Sequence, residues 1–180
     1  MARDDDAMLI ESCLRGDRHA FDELVDRYEG PLFGAAYRIT GSVEDAMDAT
    51  QNAFVNAFEK LHTFDPTYRF FSWIYRIVVN QSLNLVSERK DQTALDEDAP
   101  TADRGPAEIL DTTEACGHLK RALLELEPHY RTVIVLKHLE GFSYREIGEL
   151  LEIPEKTVKS RLFTARQRLR VILTNWGFAP

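Results

Sequence analysis

An acidic segment at residues 91–115 constrains the fold of this sequence more than any other feature. The segment holds eight acidic residues and one basic residue, together with two prolines, one glycine and little apolar periodicity. Such a segment buries too little apolar surface to offset the entropy lost on ordering, so it is typical of a mobile linker. A partly ordered surface loop explains its second half equally well, since Ile109 and Leu110 could dock. On either interpretation it divides the 180 residues into 1–90 and 116–180.

The first part has the apolar periodicity of helices and no strand-like alternation. Residues 20–28 place their apolar side chains on one helical face, and Pro31 is expected to open a second helix that ends at Gly41. A third helix follows Ser42, and a long fourth helix is predicted over 70–89. These elements predict a small helical bundle. The third helix is expected to bury a stripe that comprises Met47, Thr50, Phe54, Ala57, Phe58 and Leu61.

The second part contains the spacing of a helix-turn-helix. An amphipathic helix at residues 119–126 precedes another helix that begins at Pro128. Ser143 and Glu146 have the spacing of a capping box, which starts a short third helix. The Ile153–Pro154 turn then leads into a longer basic helix. The sequence therefore predicts an all-α fold, with two small helical domains joined by a flexible acidic linker and a helix-turn-helix in the C-terminal domain.

The charge is unevenly distributed along the chain. A net charge of −8 would argue against nucleic-acid binding, but residues 154–170 carry six basic residues and one acidic residue. A basic helix held in a helix-turn-helix fits the major groove of DNA, with its N-terminal residues nearest the bases. A basic face that is merely solvated is the alternative. The outward residues expected to meet DNA are Lys156, Lys159, Ser160 and Arg161.

Two further surfaces are visible in the first part. The third helix carries a polar ridge opposite its buried stripe, and by itself such a ridge is usually only solvent-facing. After Asp65, aromatic side chains alternate with arginines, a pattern that suits unstacked single-stranded bases. An aromatic core that closes the bundle would account for Phe70, Phe71 and Tyr75 equally well.

Nothing in the sequence points to bond chemistry or to a bound cofactor. Cys13 and Cys116 are isolated, the five histidines are scattered, and there is no Gly-rich phosphate loop or triad-like grouping. We therefore expect no catalytic residues, no metal, no cofactor and no small-molecule substrate. The N-terminus has three consecutive Asp residues where a signal peptide would be basic, and no run of about 18 apolar residues exists. These features predict a cytoplasmic protein without stable membrane insertion.

Three segments resemble bacterial sigma factors of the extracytoplasmic-function (ECF) group of the sigma-70 superfamily. EDAMDATQNAFVNAF (44–58) is similar to the family's core-polymerase-binding helix. FFSWIYRIVVNQSLN (70–84) is similar to its promoter-melting and minus-ten element, and GFSYREIGELLEIPEKTVKSRLFTARQRLR (141–170) to its minus-35 reader. Related regulators share the helix-turn-helix, so the three collinear matches are much more specific than one.

The resemblance implies a sigma2-like domain at residues 1–90, an acidic linker at 91–115 and a sigma4-like domain at 116–180. It assigns core-polymerase binding to Asp45, Asp48, Gln51, Asn52, Phe54 and Val55. It assigns minus-ten DNA to Tyr68, Arg69, Trp73, Arg76 and Asn80, and minus-35 DNA to Lys156, Lys159, Ser160 and Arg161.

The function that the resemblance implies is that of a factor that binds core RNA polymerase and directs promoter-specific transcription initiation. Its expected partners are core RNA polymerase, promoter DNA as duplex and as melted strand, and an anti-sigma factor that restrains it. The alternative is a DNA-binding regulator that is not a polymerase subunit. Such a regulator would not require the polar ridge of the third helix, which includes Gln51, or the aromatic and polar residues at 73–80. Three features depart from the family pattern. Asn52 stands where an acid is usual, and Glu152 replaces a glycine common in the turn, which is therefore expected to be strained or wider. Residues 84–88 are poorer in arginine than is usual at the end of this helix, which weakens the expected backbone contacts at the minus-ten element.

Overall fold

The computed structural model of the chain describes residues 2–95 and 114–178. All regular elements in these two stretches are helical, so the predicted all-α fold is confirmed. The α-helices are α1 (Ala2–Leu14), α2 (Arg18–Thr40), α3 (Val43–Lys60), α4 (Phe70–Leu95), α5 (Glu114–Leu124), α6 (Pro128–Ile134), α7 (Tyr144–Leu151) and α8 (Glu155–Asn175). A 3₁₀ turn (Leu61–Thr63) follows α3, and a π-helical turn (Val135–Leu139) continues α6.

Most of the predicted acidic linker lies outside the described residues. Helix α4 continues five residues beyond residue 90, and α5 begins at Glu114. The described ends of the linker are therefore helical, and residues 96–113 are not part of the description. The domain boundaries stay a prediction.

The prediction of two helices on either side of Pro31 is wrong, because Arg18–Thr40 forms the single helix α2. A proline inside a helix removes one backbone hydrogen bond, and burial of the flanking turns can offset that loss. Beyond Pro31, Leu32, Ala35 and Ile39 are fully buried and continue the apolar stripe of the first turns. The helix ends where predicted, at Gly41, whose left-handed backbone (φ 75°) forms its C-cap.

Helix α1 has no counterpart among the predicted helices. Its opening run of charged residues hides its apolar periodicity, and the contacts that hold it are long-range. The Asp6 carboxylate accepts hydrogen bonds from the Arg27 guanidinium and the Tyr28 hydroxyl, each at 2.5 Å. Ile10 is buried beside them. Pairing across more than twenty residues leaves no local pattern in a sequence.

The buried face of α3 is narrower than predicted. Thr50, Phe54 and Ala57 are buried as expected, but Met47 and Phe58 are each 48% exposed. At 100° per residue these two side chains lie at the margin of the buried face. The centre of that face is formed by small residues that allow close helix packing, namely Ala46, Ala49, Ala53 and Ala57.

The buried side chains of the two parts of the chain form one continuous core. Phe142, which follows the π-helical turn, is 7% exposed and stacks on Phe71 of α4 with ring centroids 6.3 Å apart. Its ring also lies 5.1 Å from that of Tyr75. Arg131 of α6 donates to the carbonyl oxygen of Ile39, at the end of α2, at 2.5 Å. The C-terminal part is therefore docked on the N-terminal bundle.

The predicted helix-turn-helix is confirmed as α7, a turn and α8. The Ser143 hydroxyl accepts from the Glu146 N–H, and the Glu146 carboxylate accepts from the Ser143 N–H, which completes the capping box. Glu152 ends α7 in the left-handed region, with φ 54° and ψ 41°. A side chain there costs about 1 kcal/mol relative to glycine, so the expected strain is present.

A methyl group at Gly148 would lie 2.8 Å from the backbone oxygen of Ile153. We expect Gly148→Ala to lower the free energy of unfolding by about 1–3 kcal/mol, because the backbone of the turn must shift. Gly117→Ala, whose added methyl meets no atom within 4 Å, is the control and should be neutral or stabilising. Urea unfolding followed by circular dichroism measures both. An unchanged midpoint for Gly148→Ala would contradict the close approach of α7 and the turn.

Candidate functional site

The first turns of α8 present the side chains that the sequence predicts to meet DNA. Val158 and Leu162 are buried, which fixes the orientation of the helix. Lys159 lies 2.7 Å from Glu155, and the hydrogen bond raises the pKa of Lys159, so the ammonium is charged at neutral pH. Phe163, 65% exposed, adds an apolar side chain to this surface. Of the predicted residues, Lys156, Lys159 and Ser160 are exposed, and Arg161 is half-buried.

Two of the later arginines of α8, Arg166 and Arg168, contact α6, the residue that caps it and its π-helical continuation. Arg166 lies 3.1 Å from the His138 ring; burial and the Arg166 charge lower the pKa of His138, so the ring is a neutral acceptor. Arg168 pairs with Glu127, and its guanidinium lies 4.5 Å from the centre of the Tyr130 ring. These contacts hold the positive charges in fixed positions along the helix.

The exposed face of α3 combines polar and apolar side chains. Met47, Gln51, Val55 and Phe58 succeed one another at spacings of four, four and three residues, so they form one stripe along the helix. Sequence reasoning placed Val55 on this surface but put Met47 and Phe58 in the core, so it missed part of the apolar component of this stripe. The other predicted residues on this face, Asp48 and Asn52, are exposed beside it.

Two residues that were predicted to lie on the α3 surface instead contact other helices of the bundle. The Asp45 side chain is 17% exposed and lies 2.7 Å from the Arg89 guanidinium of α4. Phe54 is 8% exposed and packs edge-on against Phe21, with centroids 6.4 Å apart. Both side chains support α3 from within the bundle. They are not part of its exposed face.

The aromatic run after Asp65 divides into core residues and surface residues. Phe70 and Tyr75 are buried, as the aromatic-core alternative requires. Trp73 is half-buried between Phe64 and Phe70, with ring centroids 5.4 Å and 5.7 Å away. The surface residues are Tyr68 and Arg69, in the loop before α4, and Arg76 and Asn80, on its exposed side.

A cavity of about 730 Å³ opens beside this loop, between α1 and the start of α4. Ile10, Leu14 and Tyr68 contribute apolar and aromatic surface to its lining, while Asp6 and Arg69 contribute charged groups. Such a mixture can take a flat heterocycle, which has apolar faces and polar edges. One wall comes from α1, the helix that sequence reasoning missed.

Within residues 2–95 and 114–178, no three His, Cys, Asp or Glu side chains come together as a metal site. None of the helices in these two stretches is long and apolar enough to span a membrane. Burial raises the pKa of the half-buried Cys13 thiol, which is therefore protonated at neutral pH.

Two family models match the chain in collinear order. Residues 24–92 match sigma-70 region 2, and residues 117–169 match sigma-70 region 4. The chain is 34% identical over 173 residues to the ECF RNA polymerase sigma factor SigW of Bacillus subtilis, covering 89% of this chain and 92% of that protein. It is 32% identical over 176 residues to the ECF RNA polymerase sigma-E factor of Escherichia coli, with 91% and 92% covered.

Solved structures give the same assignment at the level of the fold. CnrH, solved in complex with the cytosolic domain of CnrY, is 26% identical with a TM-score of 0.68, covering 95% of this chain and 98% of that chain. The sigma factor RpoE of Bartonella quintana, solved in complex with the anti-sigma factor NepR, has a TM-score of 0.70 at 22% identity. That alignment covers 86% of this chain and 96% of RpoE.

Proposed function

Because this chain belongs to the ECF sigma factors of the sigma-70 family, which bind core RNA polymerase and direct promoter-specific initiation, we propose how that work is divided among its surfaces. The observation that carries the proposal is the exposure of three separate surfaces whose chemistry differs. They are the stripe on α3, the loop and exposed side of α4, and the first turns of α8. Residues 1–90 act as the sigma2-like domain, 91–115 as the linker and 116–180 as the sigma4-like domain.

The α3 surface binds core polymerase. Its apolar side chains, Val55 and Phe58, provide area to bury, and Asp48 and Gln51 provide polar contacts that set the orientation of the partner. Asp45 and Phe54 act indirectly, since both hold α3 in place from within the bundle. Asn52, where the family usually has an acid, offers an uncharged polar contact at the margin of the α3 surface.

The loop before α4 and the exposed side of α4 bind the melted minus-ten strand. Tyr68 can stack on an unstacked base, and Arg69 and Arg76 can contact phosphates. Asn80 supplies an amide that can hydrogen-bond a base edge. Trp73 packs against Phe64 and Phe70, so it is a rigid support for the neighbouring DNA-binding residues.

The first turns of α8 bind the minus-35 duplex. The Lys156 and Lys159 ammonium groups are exposed, and with Arg161 they can reach guanine edges or phosphates in the major groove. Ser160 can donate to or accept from either kind of group. The two DNA-binding surfaces need each other, because tethering both to polymerase raises their effective concentration on one promoter.

The chain itself catalyses no reaction in this proposal, since its family consists of transcription initiation factors and polymerase supplies the active site. It works in the cytoplasm, where its template is found. An anti-sigma factor restrains it. This last part of the proposal is supported by the solved RpoE–NepR complex, whose sigma subunit has the same fold.

Reconstituted transcription tests the proposal. The purified chain and bacterial core RNA polymerase should initiate from a subset of templates in a pool randomised at both promoter elements. The variant Lys159→Ala/Arg161→Ala should lose at least about tenfold in preference for the selected minus-35 sequence, because each good base contact contributes about 1–3 kcal/mol. Arg15→Ala/Arg18→Ala removes the same charge from exposed sites at the start of the chain and should behave as wild type. Retarded duplex DNA without polymerase binding would instead favour the regulator that is not a polymerase subunit.

A further inference from the structure

The surface that the proposed function assigns to the minus-35 duplex contains an acid. Glu155 is the first residue of α8 and the only acidic residue among 154–170, where six residues are basic. Its side chain is 48% exposed. A carboxylate on such a surface repels phosphates and lowers affinity for every DNA sequence alike. The same charge raises specificity when one base pair can bind it and the other base pairs cannot.

Glu155 also fixes the position of Lys159, one turn further along α8. The Lys159 ammonium lies 2.7 Å from the Glu155 carboxylate and 5.8 Å from the centre of the Tyr144 ring of α7. A lysine is ordinarily a mobile point charge on a flexible stem, but here a carboxylate and an aromatic ring hold it from two sides. The Lys159 side chain is 57% exposed, so the ion pair presents a donor and an acceptor side by side to a ligand.

The spacing of this donor and acceptor matches the major-groove edge of a G·C pair. There the O6 acceptor of guanine and the N4 amino donor of cytosine lie side by side, since they hydrogen-bond each other at about 2.9 Å. An ammonium has three protons and a carboxylate has about four lone-pair sites, so both can contact the base pair while they stay paired with each other. In this arrangement Lys159 donates to O6 and N7 of guanine, and Glu155 accepts from the amino group of cytosine.

The order of the two charges distinguishes the four base pairs. Inversion to C·G, or replacement by A·T, places an acceptor under the carboxylate and a donor under the ammonium, so both contacts become repulsive. A T·A pair keeps the central acceptor and donor. It puts a methyl group where the ammonium would meet guanine N7, however, and it puts the adenine N7 acceptor beside the carboxylate. G·C in one orientation is therefore the base pair that satisfies both charges.

We propose that Glu155 is a specificity-determining residue: together with Lys159 it selects one G·C pair, in one orientation, within the minus-35 element. The inference rests on the proposed function, which places the first turns of α8 in the major groove. It adds Glu155 to the residues that contact bases, and it makes the ion pair, rather than Lys159 alone, the group that recognises guanine. Burial of Val158 and Leu162 fixes the rotation of α8, so the guanine lies on one defined strand.

Reconstituted transcription with the full chain and core polymerase tests the inference, on templates that each differ from the selected minus-35 sequence by one base pair. Wild type should show one position at which G·C is preferred and the inverted C·G pair is disfavoured. Glu155→Gln should reduce that preference at least about fivefold, because a neutral amide can rotate either to donate or to accept. The reduction should come mainly from better use of the inverted template. Preferences at the other positions should be unchanged.

Glu149→Gln is the matched control. Glu149 lies 2.9 Å from Arg145 in an ion pair of the same four-residue spacing, and its side chain is 54% exposed, but it belongs to α7. This control removes the same charge and should leave every preference as in wild type. In a chain that carries Lys159→Ala, Glu155→Gln should have a smaller effect on the G·C preference than in wild type, since the two side chains act as a unit. An equal effect in both chains would contradict recognition by the pair.

The outcomes separate this inference from the proposed function. If Lys159→Ala/Arg161→Ala removes the minus-35 preference while Glu155→Gln changes no preference, α8 recognises the duplex without Glu155, and the inference alone is overturned. An equal loss of initiation on all templates would show that Glu155 only stabilises the start of α8, which would also overturn it. If neither variant changes any preference, α8 does not recognise the minus-35 element, and the inference fails together with the proposed function.

Discussion

Replacing Arg131 by methionine is expected to lower the free energy of unfolding by about 3–5 kcal/mol, because hydrogen bonds from a buried charge are lost and their acceptors are orphaned. Arg131 is 7% exposed, and its guanidinium has no carboxylate partner among the described residues. Burial lowers its pKa to about 10, which leaves it charged at neutral pH. Its acceptors are the carbonyl oxygens of Ile39, Leu123, Leu124 and Leu126, at 2.5, 3.0, 2.8 and 3.0 Å.

These acceptors explain why a buried cation is tolerated without a carboxylate. The last four carbonyl groups of a helix have no partner within it, and they carry the negative end of the helix dipole. Arg131 contacts the end of α2 through Ile39 and the end of α5 through Leu123 and Leu124. One side chain thereby joins helices of the two parts of the chain.

Urea unfolding followed by circular dichroism measures the loss. Arg121→Met is the matched control, since the exposed Arg121 donates, among the residues that the structure describes, only to Gly117 of its own helix at 3.4 Å. It should change stability by less than about 0.5 kcal/mol. Arg131→Lys should fall between the two, because one ammonium cannot reproduce the planar fork of donors. Stability of Arg131→Met within about 1 kcal/mol of wild type would show that water satisfies these carbonyls instead.

Features set by neighbouring residues were predictable from the sequence. The capping box of Ser143 and Glu146 and the all-α fold follow from local spacing and are confirmed. The strained turn at Glu152, which was expected from the family resemblance, is also present. Local rules also produced the wrong helix break at Pro31, because burial on both sides of a proline is a tertiary effect. A pattern of large apolar residues likewise missed that alanines form the centre of the α3 interface.

Contacts between distant residues were not predictable. Arg131 and Ile39 are 92 positions apart, and Arg38 and Glu140 are 102 apart, so no periodicity links them. The same limit applies to the candidate site. Spacing placed Asp48 and Gln51 on an exposed face of α3, but it could not show that the Asp45 carboxylate pairs with Arg89 of α4.

The double variant Asp48→Arg/Gln51→Arg is expected to weaken binding to core RNA polymerase at least about 100-fold, or about 3 kcal/mol. Both residues are exposed on adjacent turns of α3, beside the apolar Val55. The change adds three positive charges to the α3 surface. If Asp48 contacts a basic group of polymerase, as proposed, the variant replaces that attraction with repulsion. Titration of labelled chain with core polymerase gives the dissociation constant.

His19→Arg/Asp26→Arg is the matched control, since it adds the same charge at two exposed positions of α2 and should bind as wild type. The α3 stripe is exposed with the two parts of the chain in contact, so polymerase can reach it without a rearrangement of the chain. Equal binding by the α3 variant, the control and wild type would indicate that polymerase contacts a surface other than that of α3. Equal loss in the α3 variant and the control would show that net charge, rather than the α3 surface, governs association.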